Sequence, residues 1–189
     1  CKKAREIGGK EIRTRSQSLL DGDLMLDFPA DTYFHSMTQG INLTDIHNYI
    51  ITHAHMDHFH PEDIKMLGYG FANLPEDMPL YHFYGGEEMA RTLAPIAQKL
   101  PKRLAVHTLY PFKETDIGIA KVIPLKATHG TETPLIYIIE KDGKRILYAH
   151  DTGYFLDETW EYIEKSNIKF NYVSLDCTSI LNEKAYTNP

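Results

Sequence analysis

Four side chains able to bind a metal ion fall within Thr52-His53-Ala54-His55-Met56-Asp57-His58, in an H-x-H-x-D-H spacing. Imidazole and carboxylate together suit Zn, Mn or Fe, which accept borderline and hard donors. His53 and His55 are two residues apart and can serve one ion. Asp57 and His58 follow a bend in the chain and can face a second. Two ions about 3.5–4 Å apart can share a hydroxide and clamp both the attacking and the leaving oxygen of a displacement. The pattern therefore points to a metal-dependent hydrolase with two ions. Five of the ten histidines lie between His47 and His60, which sets this loop apart from an ordinary polar turn.

The elements that must hold such a loop are legible on either side of it. Tyr49-Ile50-Ile51 reads as the end of a buried strand, and Pro61-Glu62-Asp63 reads as the first turn of a helix. A strand-to-helix loop is where an α/β sheet places its ligand chemistry.

The motif resembles the metal-binding signature of the metallo-β-lactamase superfamily. That family carries a further His after a strand and then an Asp after another strand. The stretch from Lys121 to Gly130 fits the first through His129, and the stretch from Arg145 to Gly153 fits the second through Asp151. Upstream, Asp23-Leu24-Met25-Leu26-Asp27 resembles the family's first motif, whose strand-end Asp orients the metal loop. The resemblance thus implies one ion on His53, His55 and His129, a second on Asp57 and His58, and Asp151 between them. Asp27 would fix the orientation and tautomer of a ligand. Asp57 would also act catalytically, steering the hydroxide or a proton.

The implied fold is α/β, an αββα metallo-β-lactamase-like sandwich, incomplete at the edges. The family begins with a strand and a Gly-rich turn and ends with another His ligand, and this sequence shows neither. The chain, 1–189, is accordingly expected to be a single metallo-hydrolase domain cut from a longer chain. The last metal ligand and the general acid would then lie beyond Pro189, with His60 and His150 the weaker acids within the chain.

Within the superfamily, the retained Asp57 and the Tyr148-Ala149-His150-Asp151-Thr152-Gly153 strand resemble the PhnP-like phosphodiesterases. The opening Cys1-Lys2-Lys3-Ala4-Arg5 resembles the tail of their Cys-rich segment, which implies an additional structural Zn involving Cys1. Phe59-His60 stands where tRNA-processing relatives place a Gly, which disfavours tRNA 3′-end processing. The expected reaction is hydrolysis of a small or cyclic phosphodiester with two divalent ions, Zn or Mn. A lactone or thioester hydrolase on the same ions, and a non-catalytic metal-binding accessory protein, remain as alternatives.

The whole chain agrees with a soluble enzyme. It is 42% apolar and 24% charged, and no apolar run approaches a membrane span. A net charge of −6 argues against extended nucleic-acid binding. Two cysteines give no disulfide framework, so a cytoplasmic location is expected. A homodimer is the default assembly.

Strands are expected at 17–20, 24–28, 46–51, 80–84, 104–109, 121–125, 135–140, 144–148 and 170–175. Asp142-Gly143 marks a hairpin turn. Helices are expected at 31–37, capped by Asp31, at 61–72 on Ile64, Leu67 and Phe71, at 87–100, kinked or shortened by Pro95, and at 156–165. His35, His47, His82 and His107 read as packed or hydrogen-bonded residues. The aromatics Tyr33, Phe34, Phe59, Tyr154 and Phe155 read mainly as core. The basic Lys99-Leu100-Pro101-Lys102-Arg103 reads as a solvated helix end.

Overall fold

The computed structural model describes residues 2–68 and 74–176. Ten strands form two sheets in the described residues. The first sheet holds β1 (Ser18–Leu20), β2 (Leu24–Leu26), β3 (Asn48–Ile50), β4 (Tyr81–Gly85) and β5 (Leu104–Thr108), side by side in that order. Only β1 runs antiparallel to its neighbour. The second sheet holds β6 (Thr115–Asp116), β7 (Lys121–Lys126), β8 (Leu135–Lys141), β9 (Lys144–Ala149) and β10 (Tyr172–Leu175) in the order β10-β9-β8-β7-β6. Here only β10 runs parallel to its neighbour. The helices are α1 (Lys2–Ile7), α2 (Thr32–Gln39), α3 (Pro61–Ile64), α4 (Glu87–Lys99) and α5 (Asp157–Ser166).

Both faces of each sheet are covered, so the central strands read as unbroken apolar runs instead of alternating ones. Along β2, Leu24 and Leu26 join the core between the sheets, while Met25 joins the outer core with Tyr49, Phe83, Met89 and Leu93. Along β8, Leu135, Tyr137 and Ile139 face the inter-sheet core, and Ile136 and Ile138 face a third cluster packed on Tyr162 and Ile163 of α5. The layers are therefore helix, sheet, sheet, helix, as the αββα expectation required. Tyr49 and Phe83 stack at 4.6 Å in the outer core, with Phe28 tilted against both.

The hairpin between β8 and β9 turns at Asp142-Gly143, both with positive φ, which is the geometry an Asp-Gly type I′ turn supplies. Several local expectations are corrected. The 61–72 helix is only Pro61–Ile64, continued as a 3₁₀ turn over Lys65–Leu67 and ending at Gly68. Ile64 and Leu67 are buried as expected, and Phe71 lies outside the described residues. Asp31 precedes α2 but its side chain caps nothing there, because its carboxylate holds Arg15 instead. Pro95 does not shorten α4, which runs on to Lys99. Pro95 and Arg91, whose carbonyl lacks its usual N–H partner, are both exposed residues. Helix α1 and the two-residue β6 went unforeseen; α1 buries no residue and so leaves no apolar period to read. Cys1 lies outside the described residues.

Candidate metal centre

Every candidate donor stands just past the C-terminal end of a strand, on one edge of the sandwich. Asp27 follows β2, the 52–58 loop follows β3, His129 follows β7 and Asp151 follows β9. Backbone bonds lash these loops together. Phe28 N donates to the His58 carbonyl and His60 N to the Phe28 carbonyl, each at 2.8 Å. Leu135 N donates to the Thr52 carbonyl at 2.9 Å, and the buried Tyr137 hydroxyl donates to the Ile51 carbonyl at 2.6 Å. Gly153 N donates to the Thr128 carbonyl at 2.8 Å, joining the His129 loop to the Asp151 loop. Asp27 and Asp151 both have positive φ, 66° and 49°, a conformation Asp tolerates better than most residues and one typical of ligand-presenting turns.

The donors converge as two groups that share His53: His53, His55 and His129, and His53, His58 and Asp151. Within each, the ligand atoms lie within 4.8 Å of one another. Asp151 Oδ2 lies 3.0 Å from His58 Nε2 and 3.8 Å from both His53 Nε2 and His129 Nε2. His129 Nε2 faces His55 Nδ1 at 2.9 Å. Asp57 is half exposed, with Oδ2 3.9 Å from His58 Nε2, and it belongs to neither group.

Asp27 is fully buried and acts behind the donors. Its Oδ1 accepts from Thr52 N at 2.7 Å and from Thr52 Oγ1 at 2.8 Å, and its Oδ2 lies 2.7 Å from His58 Nδ1. Thr52 Oγ1 is also 3.0 Å from His53 Nδ1. A hydroxyl that donates to Asp27 can accept the His53 Nδ1 proton, which leaves the His53 Nε2 lone pair facing the cluster. The sequence reading passed over Thr52; its position directly before the first His was the available signal.

Two observations show that this arrangement fits a cation. His53 Nε2 is buried with no hydrogen-bond partner, a costly state for a polar atom that a ligated cation relieves. His58 is held between two carboxylates, Asp27 on Nδ1 and Asp151 on Nε2. A neutral ring bonded to Asp27 through Nδ1–H turns a lone pair toward Asp151, so a positive centre must stand between them. In the metal-free protein that centre is a proton. Burial disfavours charge on His58, but the hydrogen bonds to Asp151 and Asp27 outweigh it and carry its pKa up to about 10. The same bond from His58 holds Asp151 down at about 2. Burial, then the nearby His58 and His129, push His53 down to about 3, and burial lowers His129 as well. Once His58 exchanges its extra proton for a divalent ion, imidazoles around the ionised Asp151 make the donor set of that ion.

A model of the family described as the β-lactamase superfamily domain matches residues 25–180. The chain belongs to the β-lactamase superfamily. Among solved structures, a diphosphatase from the PhnP family is 20% identical, with a TM-score of 0.61, over 81% of this chain and 57% of that one. YhfI from Bacillus subtilis, described as a metallo-β-lactamase fold protein, is 14% identical with a TM-score of 0.62, over 85% and 63%. The short form of human tRNase Z is 15% identical with a TM-score of 0.64, over 92% and 76%. At these identities the likeness establishes the metallo-β-lactamase fold for this superfamily member. The chain spans 57% and 63% of the first two structures. No curated protein matches it.

The remaining histidines of this β-lactamase-superfamily chain stand apart from the cluster. His150 stacks on Tyr148 and has Ser174 Oγ and Ser16 Oγ at its ring nitrogens. His60 lies 3.0 Å from the Asp63 carboxylate. His35 lies between Gln17 and Thr14, and His82 Nδ1 is 3.0 Å from His107 Nε2. Of the basic stretch, Arg103 reaches the Pro75 carbonyl as the chain enters β5, at the strand end opposite the metal loop. Among the described residues, no helix is long and apolar enough to cross a membrane.

Proposed function

We propose that this chain is a two-metal hydrolase of small phosphodiesters. The observation that supports this most is the placement of Asp151 Oδ2, within 3.0–3.8 Å of three imidazole nitrogens drawn from both sheets. One carboxylate in that position can serve two adjacent ions. His53, His55 and His129 would hold one, and Asp57 and His58 the other, with Asp151 serving both. Bound there, the ions would supply Lewis acidity, lowering the pKa of a water and neutralising charge on a phosphoryl group.

The protein's own groups do the rest. Asp27 and Thr52 fix the ring planes and tautomers of His58 and His53, so their lone pairs need no reorientation when a cation arrives. Asp57, half exposed beside His58, is placed to orient an attacking water or to take its proton. The wall of residues 24–28 and 49–53 keeps bulk water from the rear of the site, which raises the worth of every charge interaction within it. The PhnP-family diphosphatase among the structural neighbours leads us to favour phosphorus over acyl carbon.

The test is to strip the protein with chelator, restore Mn²⁺ or Zn²⁺, and assay bis-(p-nitrophenyl) phosphate beside a lactone and a thioester. Metal-dependent phosphodiester turnover that Asp57→Ala loses supports the proposal. Turnover of acyl substrates alone replaces it with an esterase-type activity. Silence on all three in a fully metallated protein replaces it with a metal-binding accessory role.

A further inference from the structure

Beside His129 lies a cavity of about 580 Å³ whose walls differ in kind from the metal cluster. Leu109, Tyr110, Pro111, Pro134, Leu135 and Leu156 line it. His129 is common to the cavity and to the donor cluster, so a group held at the cluster has this space next to it.

We propose that this cavity is the subsite for an uncharged, apolar arm of the substrate, an aryl or bulky alkyl group, and that it rejects a second anionic group. The inference rests on the phosphodiester reading and goes beyond it by naming which phosphodiesters are preferred.

Charge carries the argument. Among the described lining residues Lys126 is the single Lys or Arg, and its ammonium is held by Glu158 at 2.9 and 3.2 Å. Two carboxylates, Glu87 and Glu132, line the same space, and Glu132 is bound by Arg91 from outside the lining at 2.7 Å. A phosphate or carboxylate entering here would face the Glu87 and Glu132 carboxylates and would have to draw Lys126 away from Glu158, so a second anion gains little here. An apolar arm gains from the same walls.

The cavity is also preformed. A side chain at Gly86 would place its Cβ 2.5 Å from Thr133 Oγ1 and 2.8 Å from the Thr133 carbonyl oxygen, so the turn into α4 seats directly on the 131–133 loop. Glu88 N donates to Thr133 Oγ1, and Glu132 N donates to the Glu88 carboxylate at 3.0 Å. One polar feature is left unused: the Thr131 hydroxyl is buried without a hydrogen-bond partner. A cavity of this size, with apolar walls from Leu109, Pro134 and Leu135 and polar groups at its margin, has the make-up of a small-ligand subsite.

The experiment is calorimetric titration of the Mn²⁺- or Zn²⁺-loaded protein with three non-hydrolysable phosphonates. Methylphosphonate has no arm to fill the cavity, phenylphosphonate has an apolar one, and 4-carboxyphenylphosphonate adds a charge to the same ring. Phenylphosphonate should bind tighter than methylphosphonate by about tenfold or more. The added carboxylate should cancel that gain. Tyr110 is half exposed, so Tyr110→Ala should remain folded, verified by its melting curve, and should narrow the gap between phenyl and methyl. Equal affinity for the methyl and phenyl ligands, or undiminished affinity for the carboxylated ring, overturns the subsite while leaving the hydrolase reading intact. Failure of all three phosphonates to bind overturns that reading, and the subsite with it.

Discussion

Two sets of histidines show what separates a cation site from a packed pair. His82 and His107 lie on β4 and β5 themselves, with ring nitrogens 3.0 Å apart and rings nearly parallel at 21°. His55 and His129 stand beyond the strand ends with ring nitrogens 2.9 Å apart. The distances are almost the same, yet the surroundings are opposite. Burial and neighbouring histidines act on His82 and His107 and lower both pKa values. The 53–58 loop has Asp151 in front and Asp27 behind. Imidazoles in contact are therefore not enough. A carboxylate aimed at their lone pairs, and a second carboxylate that fixes their protons, turn a histidine cluster into a place for a positive charge.

Removing the front carboxylate should break this contrast most completely. Asp151→Ala is expected to lower metal-dependent turnover on the order of a thousandfold and to reduce bound metal, measured by elemental analysis. Asp57→Ala should cost about a hundredfold in turnover, with a smaller loss of metal than Asp151→Ala and a melting temperature nearly unchanged. Equal losses of metal in the two variants would make Asp57 as strong a ligand as Asp151. Thr52→Val should weaken metal binding about tenfold, with Thr52→Ser restoring it, because only the hydroxyl links Asp27 to His53. Competition with a chromophoric chelator reads this out.

Within the metal-free protein, His58 and the His82–His107 pair predict opposite pH limbs. His58 is raised from 6.5 to about 10, so its contribution to stability is complete below pH 6.5 and is lost as pH climbs toward 10. His82 and His107 are lowered, so the folded state resists their protonation and stability falls as pH drops below 6.5. Thermal melts of the chelated protein across pH should show both limbs. His82→Phe should soften the acid limb alone. The smallest effect expected is on catalysis by His107→Phe, which should leave turnover and metal content where they were.

The metal loop was legible because its chemistry is local. Six residues carry four donors, and the apolar run before them and the Pro-Glu-Asp after them mark strand and helix. His129 and Asp151 needed the resemblance, since a lone His or Asp at a strand end has no signal of its own. What stayed hidden depends on contacts distant in sequence. Asp31 has the right type and place for a helix cap but is drawn to Arg15, sixteen residues away. The period of Ile64 and Leu67 gives no warning that the helix gives way to a 3₁₀ turn before Gly68. The apolar cavity acquires meaning only once both sheets are assembled, and Thr52 once its hydroxyl is seen between Asp27 and His53. Asp57 reads from spacing as a ligand, and in the fold it stands half exposed with Oδ2 3.9 Å from His58 Nε2.

The donors come from two sheets: His53, His55 and His58 from the first, His129 and Asp151 from the second. His55 and His129 are 74 positions apart along the chain. An ion gripped by both sets would be a removable tie between the sheets that binds the folded chain and not the unfolded one, so its binding free energy adds to the stability of the fold. Chelation should then loosen the seam between the sheets as well as silence the site. Partial proteolysis with and without chelator would register that loosening as faster cutting.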